Sequence, residues 1–103
     1  MHQDHAIFLK SLHAHSKVRL TYYRKEDKAR VTRLCAPLDF GTAHKAEDKI
    51  RRYEFWDHEA AQKLSLVPSQ IRQIEDAAES FDPAAVVTWR PRWVIKRSWG
   101  TVS

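Results

Sequence analysis

From Lys17 to Arg24 the side chains alternate strictly in character. Val18, Leu20 and Tyr22 fall on one side of an extended chain, and Arg19, Thr21 and Tyr23 on the other. A period of two predicts a strand with one buried face, which commits the chain to pairing that strand with others. The charged residues 25–28 read as a hairpin turn, and residues 30–38 as the return strand. That strand loses its alternation between Val31 and Leu34, which predicts a bulge or a change of face. Pro37 has no N–H for a ladder, so a sheet edge or a strand end is expected there.

The remaining segments supply partners for this hairpin. Residues 50–57 (IRRYEFWD) form a third strand rich in aromatics, and 63–67 a short fourth one stopped by Pro68. Residues 58–62 connect the two, and Pro68-Ser69-Gln70 is a turn. Residues 71–76 fit either a strand or one helical turn. Ahead of the hairpin, Phe8, Leu9 and Leu12 lie at helical spacing within 6–15, with Asp4 as a plausible N-cap. Asp82-Pro83 predicts a brief helix over 83–89, which Pro91 ends. Residues 92–99 alternate again, with Trp93, Ile95 and Trp99 on one side. The polar stretch 41–49, carrying His44, is the best loop candidate.

A chain of 103 residues holds one domain and one core, and 43% hydrophobic residues is enough to fill it. The expected organisation is a core over about 6–81 and a Trp/Arg-rich C-terminal extension over 82–103, without repeats or linkers. The expected fold class is mainly β with short flanking helices. No apolar run approaches the roughly 20 residues of a spanning helix, and the N-terminus lacks a secretory plan. Cys35 is alone and has no internal disulfide partner, which fits the cytoplasm.

The order of landmarks resembles that of the WYL-domain family, in its short members without a DNA-binding winged helix. The resemblance rests on a series: Leu20-Thr21-Tyr22-Tyr23, then Arg33-Leu34-Cys35-Ala36-Pro37-Leu38, then Arg52-Tyr53-Glu54-Phe55-Trp56-Asp57. Leu64-Ser65-Leu66-Val67-Pro68-Ser69-Gln70-Ile71 completes it. The resemblance implies a small, strongly bent Sm/SH3-like β-barrel with the helix beside it. It also implies ligand sensing, with nucleic acids or nucleotides as ligands, in bacterial transcription regulation or phage defence. Carried over one position at a time, the family's ligand-facing groups fall on Tyr22 or Tyr23, on Arg33 and on Tyr53. Two places depart. Arg52 and Glu54 stand where the family's name-giving triplet has Trp and Leu, and Gln62, beside Lys63, stands where an arginine is expected.

Charge points the same way. Seven cations within 17–33 face only Glu26 and Asp27, a surplus of five that equals the formal net charge of +5. Such a surplus favours phosphate-bearing partners. Arg19, Tyr23, Arg33 and Tyr53 are expected to share one face, with Lys63 and Arg52 as supporting cations. Arginine offers bidentate phosphate contacts and tyrosine a plane on which a base stacks. The expected ligand is a nucleotide or single-stranded nucleic acid. The tail residues Trp89, Arg90, Arg92, Trp93, Lys96, Arg97 and Trp99 interleave rings and cations. They are expected either to stack on bases or form internal cation–π pairs, or to pack the tryptophans against an open end of the domain or a dimer partner while the cations snorkel.

Catalysis finds no foothold. The sequence has no nucleophile elbow, no HExxH and no glycine-rich phosphate loop, so an enzyme is not expected. His13 and His15 lie two apart on the predicted helix and point to different sides, and Cys35 has no ligand at metal spacing. Neither metal nor cofactor is expected.

Overall fold

The computed structural model describes residues 1–42 and 49–103. Helix α1 (His5–Ala14) is followed by β1 (Ser16–Arg24), β2 (Ala29–Thr42), β3 (Arg51–Asp57) and β4 (Gln62–Leu66). A 3-10 turn (Pro68–Gln70) leads into β5 (Ile71–Ser80), and a short helix α2 (Pro83–Val86) opens the tail. The five strands form one antiparallel sheet in the order β4-β3-β2-β1-β5. The mainly-β class with a flanking helix is as expected. The sheet is bent but open: among the described residues β4 and β5 are its edges, so it is not a closed barrel.

Alternation decides which side chains enter the core. Val18, Leu20 and Tyr22 turn inward, where they meet Phe8 and Leu12 of α1 and Phe55 of β3 in one cluster. Residues 71–76, open between two readings, are part of a ten-residue strand with Ile71 and Ile74 buried. The helix begins where expected, yet the Asp4 carboxylate does not cap it. It accepts instead from the Ile74 amide at 2.9 Å, tying the helix start to the edge of β5.

Pro37 lies within β2, which does not end there but runs on to Thr42. The physical reason is in the pairing. β1 accompanies β2 only as far as Cys35, so Pro37 has a hydrogen-bonded neighbour on the β3 side alone and its missing N–H costs nothing. The irregularity falls between Pro37 and Asp39, not between Val31 and Leu34, where the β1–β2 register is continuous. The broken alternation near Val31 has another cause: Arg33 occupies an inward position, opposite Leu20. The loop expected over 41–49 is shorter, because Gly41 and Thr42 belong to β2; its residues 43–48, with His44, lie outside the described residues. Helix α2 stops at Val86, short of the expected Trp89, although Asp82 caps it through the Ala84 amide as the sequence suggests.

The tail returns over the outer face of the sheet and closes the end of the core. Trp89 lies against Trp56, with ring centroids 6.1 Å apart, and Trp99 is buried with its indole N–H on the Leu12 carbonyl at 3.0 Å. Ile95, Arg97 and Trp99 continue the inward alternation that Trp93 begins. Arg97 does not snorkel: its side chain is 0% exposed, sandwiched between Trp93 at 3.8 Å and Trp99 at 4.4 Å. The tail chain passes so close to β2 that a Cβ on Gly41 would sit 2.6 Å from Val94 Cγ2. Gly41→Ala is therefore expected to cost about 1–3 kcal/mol in urea denaturation, the usual penalty of overpacking. Val94→Ala in the same chain should recover most of that loss.

The N-terminus adds a titrating contact. The Tyr53 hydroxyl accepts from the His2 amide at 3.1 Å and lies 2.7 Å from His5 Nδ1, a contact suited to a neutral imidazole. Burial, with the N-terminal charge and Arg51 adding to it, lowers the His5 pKa. Burial also lowers that of His58, with Lys17 acting the same way. A histidine with a depressed folded pKa contributes stability that is present above about pH 6.5 and lost as pH falls through the folded value. The melting temperature is expected to fall between pH 7.5 and 5.5, less steeply in His5→Phe.

Candidate ligand-binding site

The strand registers sort the sequence-derived candidates into two faces. Leu20 is opposite Arg33, and Tyr22 is opposite Val31, so Tyr22 and Arg33 share the inner face with Val18 and Cys35. Arg19 is opposite Leu34 and Tyr23 is opposite Arg30, on the outer face. The expected common face of Arg19, Tyr23, Arg33 and Tyr53 therefore does not exist. Arg33 pairs in space with Tyr22 instead, because an odd spacing along antiparallel strands places Arg19 and Tyr23 behind it.

Tyr53 is on the inner face but deep inside it. It is 0% exposed, stacked on Phe40 at 4.1 Å and edge-on to Phe8 at 4.9 Å, and its hydroxyl serves the N-terminal residues. In this position it is a core residue holding α1 to the sheet, out of reach of a ligand. Arg52 lies on the outer face at the far end of β3, opposite Gly41, and donates to the Ile50 carbonyl. Lys63 is opposite Trp56 and holds its ammonium 4.7 Å from the Trp89 ring.

Where the inner face runs out beyond the core, a pocket of about 360 Å³ opens between the β1–β2 and β3–β4 hairpins. Tyr22, Arg33, Asp57 and Leu66 form its floor, and Gln70 of the 3-10 turn closes one side. Four cations border it, Arg24, Lys25, Arg33 and Lys63, against the two carboxylates Glu26 and Asp57. Tyr23 and Gln62 also border it. Of the seven candidates, the pocket thus gathers Tyr22, Tyr23, Arg33 and Lys63, and leaves out Arg19, Arg52 and Tyr53.

Local chemistry explains the shape of the floor. Asp57 ends β3 nearly buried, and its Oδ1 accepts from the Glu59 amide at 2.8 Å and the Ala60 amide at 3.1 Å. These bonds fold the β3–β4 turn back, and Glu59 pins that turn to β2 by accepting from the Leu34 amide at 2.9 Å. Arg33 lies loosely in this frame, 4.0 Å from Asp57 and 3.7 Å from Glu59. Its Nε–H is buried without an acceptor, so the guanidinium has donor capacity left over. Gln70 Oε1 accepts from the Val67 amide at 3.0 Å, which fixes the side chain with its amide nitrogen at the free end. Burial, with the charge of Asp57 adding to it, raises the pKa of Tyr22 and keeps its hydroxyl protonated. Burial likewise pushes the Cys35 thiol up, so it is no nucleophile.

Sequence reading missed Asp57 as the organiser of the turn and Gln70 as a pocket wall. Gln70 left a signal, a glutamine three residues after Val67 across Pro68, the spacing of a capping residue. Among the described residues no group of three or more His, Cys, Asp or Glu side chains is placed to hold a metal. Among the described residues no helix is long and apolar enough to cross a membrane.

Fold and pocket together define a small antiparallel domain that presents a basic recess at the open end of its bent sheet. No family model and no curated protein matches this sequence. Among solved structures, the proteasome accessory factor B/C (PafBC) of Arthrobacter aurescens matches it with a TM-score of 0.66 over 84% of this chain, at 16% identity. The match spans 13% of the PafBC chain, and at that identity it speaks for a shared fold.

Proposed function

We propose that this domain is a WYL-like regulatory module that senses a nucleotide or a short single-stranded nucleic acid in the pocket between its two hairpins. The observation that carries this reading is the pairing of Arg33 with Tyr22 on the pocket floor, beneath a rim with Lys25 and Lys63. A guanidinium with a free donor, a tyrosine and flanking cations are what a nucleotide's base and phosphate need. The volume is at the small end of the range for small-molecule sites and suits one nucleotide unit, far less than a duplex. The likeness to PafBC supports the fold on which this reading rests.

The pocket favours binding over chemistry. Its floor carboxylate is held by two backbone amides and Arg33, and the neighbouring thiol is buried and protonated. The tail speaks against the dimerisation alternative, since Trp99 is in the core and Trp93 is occupied by Arg97 and by the Val102 carbonyl. The test is fluorescence anisotropy of labelled short single-stranded DNA at rising salt. Affinity should fall with a log–log slope near −0.7 for each phosphate engaged. An affinity that stays flat with salt, or no binding at low salt, would sink the proposal.

A further inference from the structure

The four tryptophans divide by what their indole N–H groups do. Trp93 Nε1–H donates to the Val102 carbonyl at 2.7 Å, and Trp99 Nε1–H to the Leu12 carbonyl at 3.0 Å. Trp56 and Trp89 make no such bond among the described residues, and neither indole nitrogen is buried without a partner. Both N–H groups therefore reach solvent, at the edges of two half-buried rings whose centroids are 6.1 Å apart. This ring pair lies on the outer face of the sheet, next to the β4 edge, since Trp56 is opposite Lys63. Lys63 joins it to the pocket: the same residue borders the recess and holds its ammonium 4.7 Å from the Trp89 ring. The chain around Trp89 is basic as well. Residues 83–103 hold four cations and no acid, and Arg90 and Arg92 are exposed. Glu54, two residues before Trp56 on the same face of β3, is a carboxylate on this side.

Resting on the reading above, we infer that the ligand is a single strand of several nucleotides, which leaves the pocket past Lys63 and stacks a further base on the Trp89–Trp56 pair. A phosphate held by Lys63 at the pocket mouth lies close to the Trp89 ring, and the base that follows it has that ring in reach. Lys63 is exposed on a flexible stem, so its ammonium exchanges the ring for the phosphate while the base takes its place over the indole. Stacking of this kind accepts any base, and the surrounding cations suit a phosphate backbone. A free nucleotide has no second base and leaves this surface unused.

The test follows the full chain by NMR and isothermal titration. The ligands are dTMP, oligo-dT of two to six nucleotides, and a six-unit strand with one thymine and abasic sugars elsewhere. Affinity should rise roughly tenfold from dTMP to the first oligonucleotide that reaches the ring pair, as one stacked base gives. The abasic strand, with the same phosphates, should lack that gain. The indole Nε1–H resonances of Trp56 and Trp89 should shift with oligo-dT and not with dTMP, while those of Trp93 and Trp99 stay in place. Trp89→Ala should abolish the gain and leave dTMP affinity as it was. Should that variant melt early, the wild-type indole resonances decide the matter without it. A gain that the abasic strand reproduces is phosphate contact alone and overturns the inference, as do Trp56 and Trp89 resonances unmoved by oligo-dT. If dTMP binds as tightly as every oligonucleotide, the inference falls and the binding role stands. Silence from every ligand overturns both.

Discussion

Asp39→Ala is expected to lower stability by about 3–5 kcal/mol, as much as truncating a core aromatic. Asp39 is nearly buried on β2, and its carboxylate accepts from the Val94 amide at 2.9 Å and the Ile95 amide at 3.0 Å. It also faces Arg97 Nη2 at 3.2 Å. Arg97 also donates to the Ile95 and Leu38 carbonyls, between two indole rings. Burial draws the Arg97 pKa down to about 10 against the opposing pull of Asp39, so the side chain is still charged at neutral pH. Removing Asp39 strands that charge and frees the tail at once. For a domain of this size the melting temperature should drop by on the order of 15 °C. Asp39→Ala combined with Arg97→Met should be more stable than Asp39→Ala alone, because no unpaired charge is left buried. If the single variant melts within about 2 °C of the wild type, the clasp contributes little and this account of the tail is wrong.

Arg33→Gln is expected to lower affinity for single-stranded DNA by roughly tenfold or more and to reduce the salt slope by about 0.7, one phosphate contact. Asp57 keeps its two backbone donors but loses the cation 4.0 Å away, so some loss of stability accompanies the loss of affinity. Arg19→Gln is the matched control. It removes the same charge from the outer face of the neighbouring strand, outside the pocket, and should change affinity far less. Equal losses in the two variants would mean that charge alone, with no defined site, accounts for binding.

The sequence made the architecture legible because the alternation from Val18 to Tyr22 has one structural solution, and the remaining strands had to pair with it. The site was legible in part. Arg33 and Lys63 could be singled out by type and neighbourhood, and both border the pocket. Faces were harder. Tyr22 and Tyr23 are adjacent in sequence and opposite in space, and choosing between them needs the β1–β2 register, which the turn over 25–28 sets and composition does not. Tyr53 misled for a related reason. An aromatic on an amphipathic strand reads alike whether it lines a recess or fills a core, and only the helix packed over it, through Phe8 and His5, decides. The burial of Arg97 was illegible because its partner Asp39 is 58 residues away in sequence.

The claim at the centre of this account is that ligand enters the recess between the two hairpins. Backbone and arginine side-chain resonances of the isotope-labelled protein, followed by NMR as short single-stranded DNA is added, test it most directly. The account predicts shifts at the Arg33 Nε–H, at Tyr22 through Glu26, and at Gln62, Lys63 and Gln70. Shifts confined to Arg19, Thr21 and Arg30 on the outer face, or to the tryptophan tail, would contradict it.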